Sequence, residues 1–66
     1  MRVNVNGHEL ELAPPATVAS LIETIGYHGR YALVERNGEP VERSAYGTLT
    51  LTDGDRVVVA RPVAGG

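Results

Sequence analysis

One segment near the end of the chain reads Arg56-Val57-Val58-Val59-Ala60-Arg61, with four consecutive apolar residues between two arginines. Asp53-Gly54 marks a turn before it, and Pro62 cannot continue the segment as a strand because it has no N–H to donate. A strand that is apolar on both sides is usually central in its sheet. The segment therefore predicts a central strand, which needs neighbours on both edges.

The beginning of the chain predicts a β-hairpin. Arg2 to Asn6 alternates, with Val3 and Val5 on one face, and His8 to Leu12 alternates again. Asn6-Gly7 between them favours a type I′ turn, which needs a positive φ at both central residues. The two segments are therefore expected to pair antiparallel.

The segment after the hairpin predicts the one strong helix of the chain. Pro14-Pro15 ends the second strand, and Thr17 has a side chain suited to an N-cap. Apolar residues then recur at i, i+3, i+4 and i+7, namely Val18, Leu21, Ile22 and Ile25. This spacing places them on one face of a helix, and Gly26 is where a left-handed C-cap is expected. A helix of about nine residues should cover one face of the sheet.

The middle of the chain predicts shorter elements. Tyr31 to Arg36 contains a short apolar run that predicts a strand, and the turn residues Asn37-Gly38 follow it. Glu39 to Tyr46 is ambiguous, because Pro40 argues against a central strand and the second half fits a single short turn. Thr48 to Thr52 alternates Thr and Leu, which predicts a short edge strand or an extended segment.

Together these elements predict an α+β fold with a single domain over residues 1–66. One main α-helix packs on one face of a mixed sheet of four to five strands. A central last strand has to lie beside the first strand and parallel to it. That arrangement is the β-grasp (ubiquitin-like) roll, and residues 63–66 are expected to form a flexible C-terminal tail.

The composition argues against several classes of function. The 66-residue chain has no Cys, its six Lys+Arg residues are all Arg, and its formal net charge is −2. The absence of Cys excludes disulfides and cysteine metal sites, and the lack of a basic excess argues against a nucleic-acid partner. No apolar run approaches the ~20 residues of a membrane span and no leader opens the chain, so no membrane partner and a cytoplasmic location are expected.

The ionisable side chains form no recognisable catalytic or metal site. Asp53 and Asp55 flank Gly54, and a metal site there would need further ligands that the neighbouring sequence lacks. The better interpretation is a turn whose side chains cap backbone amides. His8 and His28 have no Ser or carboxylate partner at an interpretable spacing, which favours solvated loop histidines. No catalytic residue, bound metal or bound cofactor is therefore expected.

The last residues of the chain, Val63-Ala64-Gly65-Gly66, predict a different chemistry. A terminal Gly66 carries an α-carboxylate with a pKa of ~3.5, which is ionised at neutral pH and unshielded by any side chain. Such a group can attack an activated phosphate as an oxygen nucleophile. Four extended residues reach ~13 Å, and glycines pass through a channel too narrow for a Cβ. The tail therefore predicts a carboxylate that is delivered into the active site of another protein.

The folded body has to supply the energy for docking on that protein. Ordering the tail costs about 1–2 kcal/mol per residue, and most for glycine. Apolar or Arg side chains on the uncovered sheet face and near the tail are the natural contacts. Arg61 and Val63 are therefore expected to contact the partner.

Three segments of the chain share the patterns of one protein family. The third strand and turn of the family are similar to Val34-Glu35-Arg36-Asn37-Gly38-Glu39. The acidic turn and last strand of the family are similar to Leu51-Thr52-Asp53-Gly54-Asp55-Arg56-Val57-Val58-Val59. The end, Val63-Ala64-Gly65-Gly66, matches its tail and is the most discriminating of the three. The chain thus resembles the ThiS family, the sulfur carriers of thiamine thiazole biosynthesis, over essentially its whole length.

The resemblance implies a carrier protein rather than an enzyme. An E1-like adenylyltransferase of the ThiF type would use ATP to convert the Gly66 carboxylate to an acyl-adenylate. Sulfur from a donor such as a cysteine desulfurase would replace the AMP and leave a thiocarboxylate on Gly66. Thiazole synthase of the ThiG type would then take the sulfur into the thiazole precursor of thiamine. Gly65 and Ala64 would act as the spacer of the tail.

The same tail is compatible with other functions. Sulfur carriers for molybdopterin, cysteine or secondary-metabolite pathways resemble this sequence, although the molybdopterin carriers are usually longer. A ubiquitin-like protein modifier would be activated by the same chemistry, and the absence of Lys forbids only Lys-linked chains of the protein on itself. The acidic balance and the diglycine end count against a plain β-grasp interaction or RNA-contacting module.

Overall fold

The computed structural model describes residues 1–27 and 32–61 of the chain. Its elements are the strands β1 (Arg2–Val5), β2 (His8–Glu11), β3 (Leu33–Arg36), β4 (Glu39–Pro40) and β5 (Arg56–Ala60), the helix α1 (Val18–Thr24), and a 3-10 turn at Arg43–Ala45. The predictions made for residues 63–66, and for His28 and Tyr31, lie outside the described residues.

The strands form one sheet in the order β2-β1-β5-β3-β4. β5 is central, parallel to β1 and antiparallel to β3, while β1 and β2 form the antiparallel hairpin. The ambiguous segment from Glu39 to Tyr46 contains the two-residue edge strand β4 and the 3-10 turn, so Pro40 sits at an edge as its missing N–H requires. This topology confirms the α+β β-grasp roll with a mixed sheet.

The core lies between α1 and one face of the sheet. Its buried apolar residues are Val3, Val5, Leu12, Ala16, Val18, Leu21, Ile22, Ala32, Val34, Tyr46, Leu51, Val57 and Val59. Apart from Tyr46, all of them are aliphatic, because the sequence contains no Phe and no Trp. Tyr46 keeps its hydroxyl satisfied in the core by donating to the carbonyl of Ala32 at 2.8 Å.

β5 is central, as its sequence predicts, but only one of its faces is buried. Val57 and Val59 point into the core, whereas Val58 is 44% exposed on the other face. The reason is that α1 covers one face of the sheet, and successive side chains of a strand point to opposite faces. Packing in the core of the chain therefore does not explain the apolar character of Val58.

Two turns in the sheet have the backbone conformation that their sequences predict. φ is +53° at Asn6 and +86° at Gly7, and it is +52° at Asn37 and +86° at Gly38. A positive φ at both central residues is the type I′ requirement, which matches the right-handed twist of the flanking strands. Both Asn-Gly pairs therefore fix the register of a hairpin, β1–β2 and β3–β4.

α1 begins where the sequence predicts and ends earlier. Thr17 Oγ1 accepts a hydrogen bond from Ser20 N at 3.1 Å, and Ser20 Oγ accepts one from Thr17 N at 2.9 Å, which together form a capping box. The helix has seven residues rather than about nine, because Ile25 is already its C-cap. Gly26 follows with φ +84°, which turns the chain out of the helix as predicted.

The segment from Thr48 to Thr52 begins in a turn and forms no strand of the sheet. Thr48 N and Leu49 N both donate back to Ala45 O, at 3.1 and 2.8 Å. An isolated bridge pairs Thr50 with Thr17, and Leu51 N donates to Ala16 O at 2.8 Å. Leu51 is only 2% exposed. The predicted edge strand is therefore wrong, and the alternative of an extended segment does not hold for its first two residues, which belong to the turn. Thr50 and Leu51 are held against the chain that leads into α1.

Candidate functional site

Arg61 is the one residue of the predicted site that the structure describes. Val63, Ala64, Gly65 and Gly66 lie outside the described residues, and the predictions for them stay predictions. The described part of the site is the end of β5, where the chain leaves the sheet, together with the face of the sheet that α1 leaves open.

Three apolar side chains lie together on this open face: Leu33, Val58 and Ala60, here called the apolar patch. Leu33 is 52% exposed and Val58 is 44% exposed. Leu33 is in register with Ala60, and Val58 lies two residues before Ala60 on the same face of β5. Neighbouring exposed apolar side chains, unlike single ones, indicate an interaction surface.

The β1–β2 half of the open face is charged instead. Arg2 contacts Glu9 at 3.5 Å and Glu11 at 3.2 Å, and all three side chains are exposed. The hydrogen bond from Arg2, together with the one from the N-terminal ammonium, lowers the pKa of Glu11 below its ordinary value. Exposed pairs of this kind add little to stability. The open face therefore carries the apolar patch beside the end of β5 and a cluster of ion pairs on β1 and β2. Two exposed charged residues border the patch: Glu35, in register with Val58, and Arg56, two residues before Val58.

The side chain of Asn6 holds the end of β5 from the β1 side. Asn6 Nδ2 donates to Val59 O at 3.0 Å, and Val59 N donates to Asn6 Oδ1 at 2.8 Å. Because β1 ends at Val5, this amide supplies the two backbone partners that a further strand residue would otherwise provide. The position of β5 is thereby fixed up to the residue before Ala60.

Arg61 lies against the helix side of the molecule. Its guanidinium carbon is 4.9 Å from the centroid of the Tyr27 ring, within the range of a cation–π contact. Alternation along the strand explains this direction, because Arg61 follows Val59 by two residues and Val59 faces the core. The partner contact predicted for Arg61 stays a prediction, while the structure gives this arginine a contact within its own chain.

The acidic turn before β5 is a structural cluster. Asp55 is 5% exposed and accepts hydrogen bonds from Arg36 Nε at 2.9 Å, Asn37 Nδ2 at 3.1 Å and Thr52 N at 2.8 Å. Burial raises the pKa of Asp55, but these hydrogen bonds outweigh burial and bring the pKa below its ordinary value. Asp53 accepts from a backbone N–H of β1 at 2.7 Å. Both carboxylates cap backbone amides, as the sequence predicts.

No second kind of site emerges from the part of the chain that the structure describes. Within residues 1–27 and 32–61, no three His, Cys, Asp or Glu side chains are grouped so that they could hold a metal ion. Among the same residues, no helix has the length and apolar character needed to span a membrane.

Sequence reasoning missed the role of Asn6 and Tyr27 at this site. The sequence assigns Asn6 to a turn, and its bonds to Val59 join residues 53 positions apart. Tyr27 follows the helix C-cap, and nothing in its local pattern indicates a contact with Arg61. No local signal could have found either contact, because the first needs β5 beside β1 and the second needs α1 packed on the sheet.

The fold and the described site together define a ubiquitin-like β-grasp protein with an apolar surface beside the end of its last strand. The model of the ThiS family matches residues 3–66 of the chain. The chain belongs to the ThiS family, whose members are small sulfur carrier proteins.

Solved structures show the same likeness. The crystal structure of the thiamine biosynthesis protein ThiS from Geobacter metallireducens is 33% identical, with a TM-score of 0.83, and the match covers 100% of both chains. An NMR solution structure of a thiamine biosynthesis protein from the same organism is 33% identical, with a TM-score of 0.82, over 100% of this chain and 88% of the other.

Two curated relatives are similar to the chain over part of their own length. A thiazole synthase of Paramagnetospirillum magneticum is 33% identical over 66 residues, which is 100% of this chain and 20% of the relative. A thiazole synthase of Magnetococcus marinus is 29% identical with the same coverage. The chain therefore spans about a fifth of the length of the curated relatives that it matches.

Proposed function

We propose that the chain is a sulfur carrier for thiamine thiazole formation and that Gly66 carries the sulfur as a thiocarboxylate. The observation that carries the proposal is the ThiS family match, which runs from residue 3 to residue 66 and so includes the diglycine. The likeness to a solved ThiS protein over the whole of both chains supports it.

The proposed chemistry makes the chain a co-substrate of other enzymes. On a ThiF-type adenylyltransferase, a carboxylate oxygen of Gly66 attacks the α-phosphorus of ATP, pyrophosphate leaves, and an acyl-adenylate forms. The terminal sulfur of a persulfide on a donor such as a cysteine desulfurase then attacks the acyl carbon, AMP leaves, and an acyl disulfide forms. A thiol reductant cleaves the S–S bond, which leaves the thiocarboxylate on Gly66 and returns the donor as a thiol. ATP is thus a substrate of the partner, and the carrier contributes an unhindered glycine carboxylate on a spacer formed by Ala64 and Gly65.

The apolar patch is the surface proposed to dock on the adenylyltransferase. Ala60 belongs to the patch and is the last residue of β5, and residues 61–66 follow it in the sequence. Six extended residues, 61–66, span at most ~22 Å, so an active site that holds Gly66 lies within that distance of Ala60. Burial of the patch offsets the entropy lost in ordering the tail. Val63 is expected to contact the entrance to the same active site.

Thiazole synthase of the ThiG type is the proposed recipient of the sulfur. The relatives of that name contain a segment similar to the whole of this chain within a longer polypeptide. Joining two modules in one polypeptide raises their effective concentration, which benefits modules that act on each other. The similarity therefore favours a thiazole synthase over a molybdopterin, cysteine or secondary-metabolite enzyme.

Mass spectrometry of the protein isolated from its native host tests the proposal. The expected result is a fraction of the protein with sulfur in place of oxygen on the peptide that contains Gly66. Branched diglycine remnants on lysines of other proteins, without such a shift, would instead indicate a protein modifier. If neither signal were found, a plain binding module would be the remaining interpretation.

Removal of the reactive group provides the matched control. Deleting Gly66, or adding residues after it, should abolish ATP–pyrophosphate exchange on the adenylyltransferase. The melting curve should stay that of the wild type, because the buried core residues of the described structure lie before residue 60. If a variant blocked in this way still supported thiazole formation, the carrier function would be wrong.

A further inference from the structure

We propose that Tyr27 is a positioning residue: by holding Arg61, it fixes the direction in which residues 62–66 leave the sheet. The proposal rests on the proposed function, since it concerns the delivery of Gly66 to the adenylyltransferase. Tyr27 lies outside the three segments that resemble the ThiS family. The observation that points to Tyr27 is the 4.9 Å distance between the Arg61 guanidinium carbon and the centroid of the Tyr27 ring.

Val59, Ala60 and Arg61 form the root of the tail, and two different elements hold this root. The Asn6 amide binds both backbone groups of Val59 from the side of β1, at 2.8 and 3.0 Å. The Tyr27 ring holds Arg61 from the side of α1. With its first and third residues attached to the body, the root has a fixed orientation relative to the sheet.

Tyr27 can act as an anchor because it is itself fixed. Its N–H donates to Ile22 O at 2.9 Å, one turn back in α1, and its ring packs partly buried against the core. Ile22 is only 1% exposed, so this hydrogen bond joins Tyr27 to a residue of the packed interior. Within the described residues 1–27 and 32–61, no ion pair competes with the ring for Arg61.

The expected effect of the contact is on binding rather than on the chemical step. A root that already points in the required direction loses less conformational freedom when the tail enters an active site. Such preorganisation lowers KM and leaves kcat unchanged, because the attacking carboxylate is five residues away. An exposed cation–π contact has the strength to change KM by about two- to fivefold.

The experiment compares four full-length variants: Tyr27→Leu, Tyr27→Phe, Arg61→Gln, and the double variant Tyr27→Leu with Arg61→Gln. KM and kcat are measured by ATP–pyrophosphate exchange on the ThiF-type adenylyltransferase, and melting curves report the fold. NMR measures the ring-current shift of the Arg61 side-chain protons, which depends on the ring and on no enzyme. Tyr27→Phe keeps the ring and is the conservative control.

We expect Tyr27→Leu and Arg61→Gln each to raise KM by about two- to fivefold with kcat unchanged, and Tyr27→Phe to match the wild type. The double variant should be no worse than either single variant, because both break the same contact. The Arg61 protons should be shifted in the wild type and in Tyr27→Phe, and unshifted in Tyr27→Leu.

Three results would overturn the proposal while the carrier function stands. The first is the absence of a ring-current shift of the Arg61 protons in the folded wild type, and the second is an unchanged KM for folded Tyr27→Leu. The third is an additive effect on KM in the double variant, which would mean that Arg61 binds the enzyme directly. If Tyr27→Leu does not fold, the shift in the wild type and the KM of Arg61→Gln decide the question. A wild-type protein that supports no exchange at all would instead refute the proposed function, and the inference with it.

Discussion

At the scale of single residues, Asp55 connects two parts of the chain that are distant in sequence. Its carboxylate accepts from Thr52 in its own turn and from Arg36 and Asn37 at the end of β3. A buried carboxylate is stable only when its oxygens are paired in this way. The acidic turn that resembles other family members therefore has a physical role in fixing the start of β5.

Asp55 should make the stability of the protein sensitive to acid. Because its pKa is lowered in the folded state, its stabilising contribution is present above the unfolded pKa of ~3.9 and is lost as the pH falls through the folded pKa. Asp55→Asn should lower the free energy of unfolding at neutral pH by about 1–3 kcal/mol and flatten its decline in acid. Urea unfolding between neutral pH and pH ~2 measures both effects.

Asp53→Asn is the matched control for this prediction. Asp53 lies in the same turn but is exposed and accepts one backbone hydrogen bond in the described structure. The Asp53→Asn variant should lose much less stability, and its free energy of unfolding should depend on pH as that of the wild type does. Equal pH profiles for Asp55→Asn and the wild type would show that another carboxylate governs the acid sensitivity.

Asn6 has two separable roles, which Asn6→Gly distinguishes. Glycine tolerates the φ of +53° at this position but removes the amide that binds Val59. We expect the hairpin to form and the free energy of unfolding to fall by about 1–3 kcal/mol, because two backbone groups lose their partners. Hydrogen exchange at the Val59 amide should become faster than at Val57. An unchanged rate at Val59 would contradict the role assigned to the Asn6 side chain.

At the scale of elements, α1 is stable because of the face that it buries. A helix of seven residues is too short to be stable alone in water, and its capping box adds only about 1 kcal/mol. Val18, Leu21 and Ile22 are at most 1% exposed, so the sheet supplies most of the stabilisation. This dependence on packing also explains why α1 ends before the apolar pattern does.

Substitutions at Ile22 test the placement of α1. Ile22→Asp should unfold the chain, because a charge in this position has no partner in the surrounding apolar core. Ile22→Val should cost about 0.5–1.5 kcal/mol and keep the fold. Thr24→Asp, at an exposed position of the same helix, is the charge control and should change stability by less than about 1 kcal/mol. Cooperative melting of Ile22→Asp would refute the placement.

At the scale of the whole molecule, the open face carries two distinct features. The apolar patch lies beside the end of β5, and the cluster of Arg2 with Glu9 and Glu11 lies across β1. One helix cannot cover both faces of a five-stranded sheet in a chain of 66 residues. Within the described residues, α1 covers one face of the sheet, and the side chains of the apolar patch on the other face stay exposed.

A double variant of the patch tests this surface as the docking site for the adenylyltransferase. Leu33→Gln with Val58→Thr removes the apolar contacts and keeps a β-branched residue in the central strand. KM for adenylation should rise by at least about tenfold, since each lost 1.4 kcal/mol of binding is a factor of ten. The melting curve should change little, because both side chains are exposed.

Glu9→Gln on the charged half of the same face is the control for the patch. It changes an exposed residue of similar accessibility, and its KM should equal that of the wild type. If Glu9→Gln weakened adenylation and the double patch variant did not, the adenylyltransferase would dock on the charged half instead.

The sequence by itself determined the elements whose signals are local. The Asn-Gly turns, the Thr17 cap and the apolar spacing of α1 each depend on neighbouring residues, and the structure has all of them where they were predicted. The central place of β5 was also predicted from its four consecutive apolar residues, although only one face of the strand is buried. The diglycine end and the family resemblance likewise come from the sequence alone.

Only the tertiary structure decided which side chains meet across the chain. Val58 is apolar like its neighbours, and the position of α1 on one face is what makes it surface rather than core. The contact of Asn6 with Val59 depends on the parallel pairing of β1 with β5, and that of Tyr27 with Arg61 depends on the packing of α1 against the sheet. Pairing between distant segments is set by the sum of all packing interactions, so no local pattern of residues encodes it.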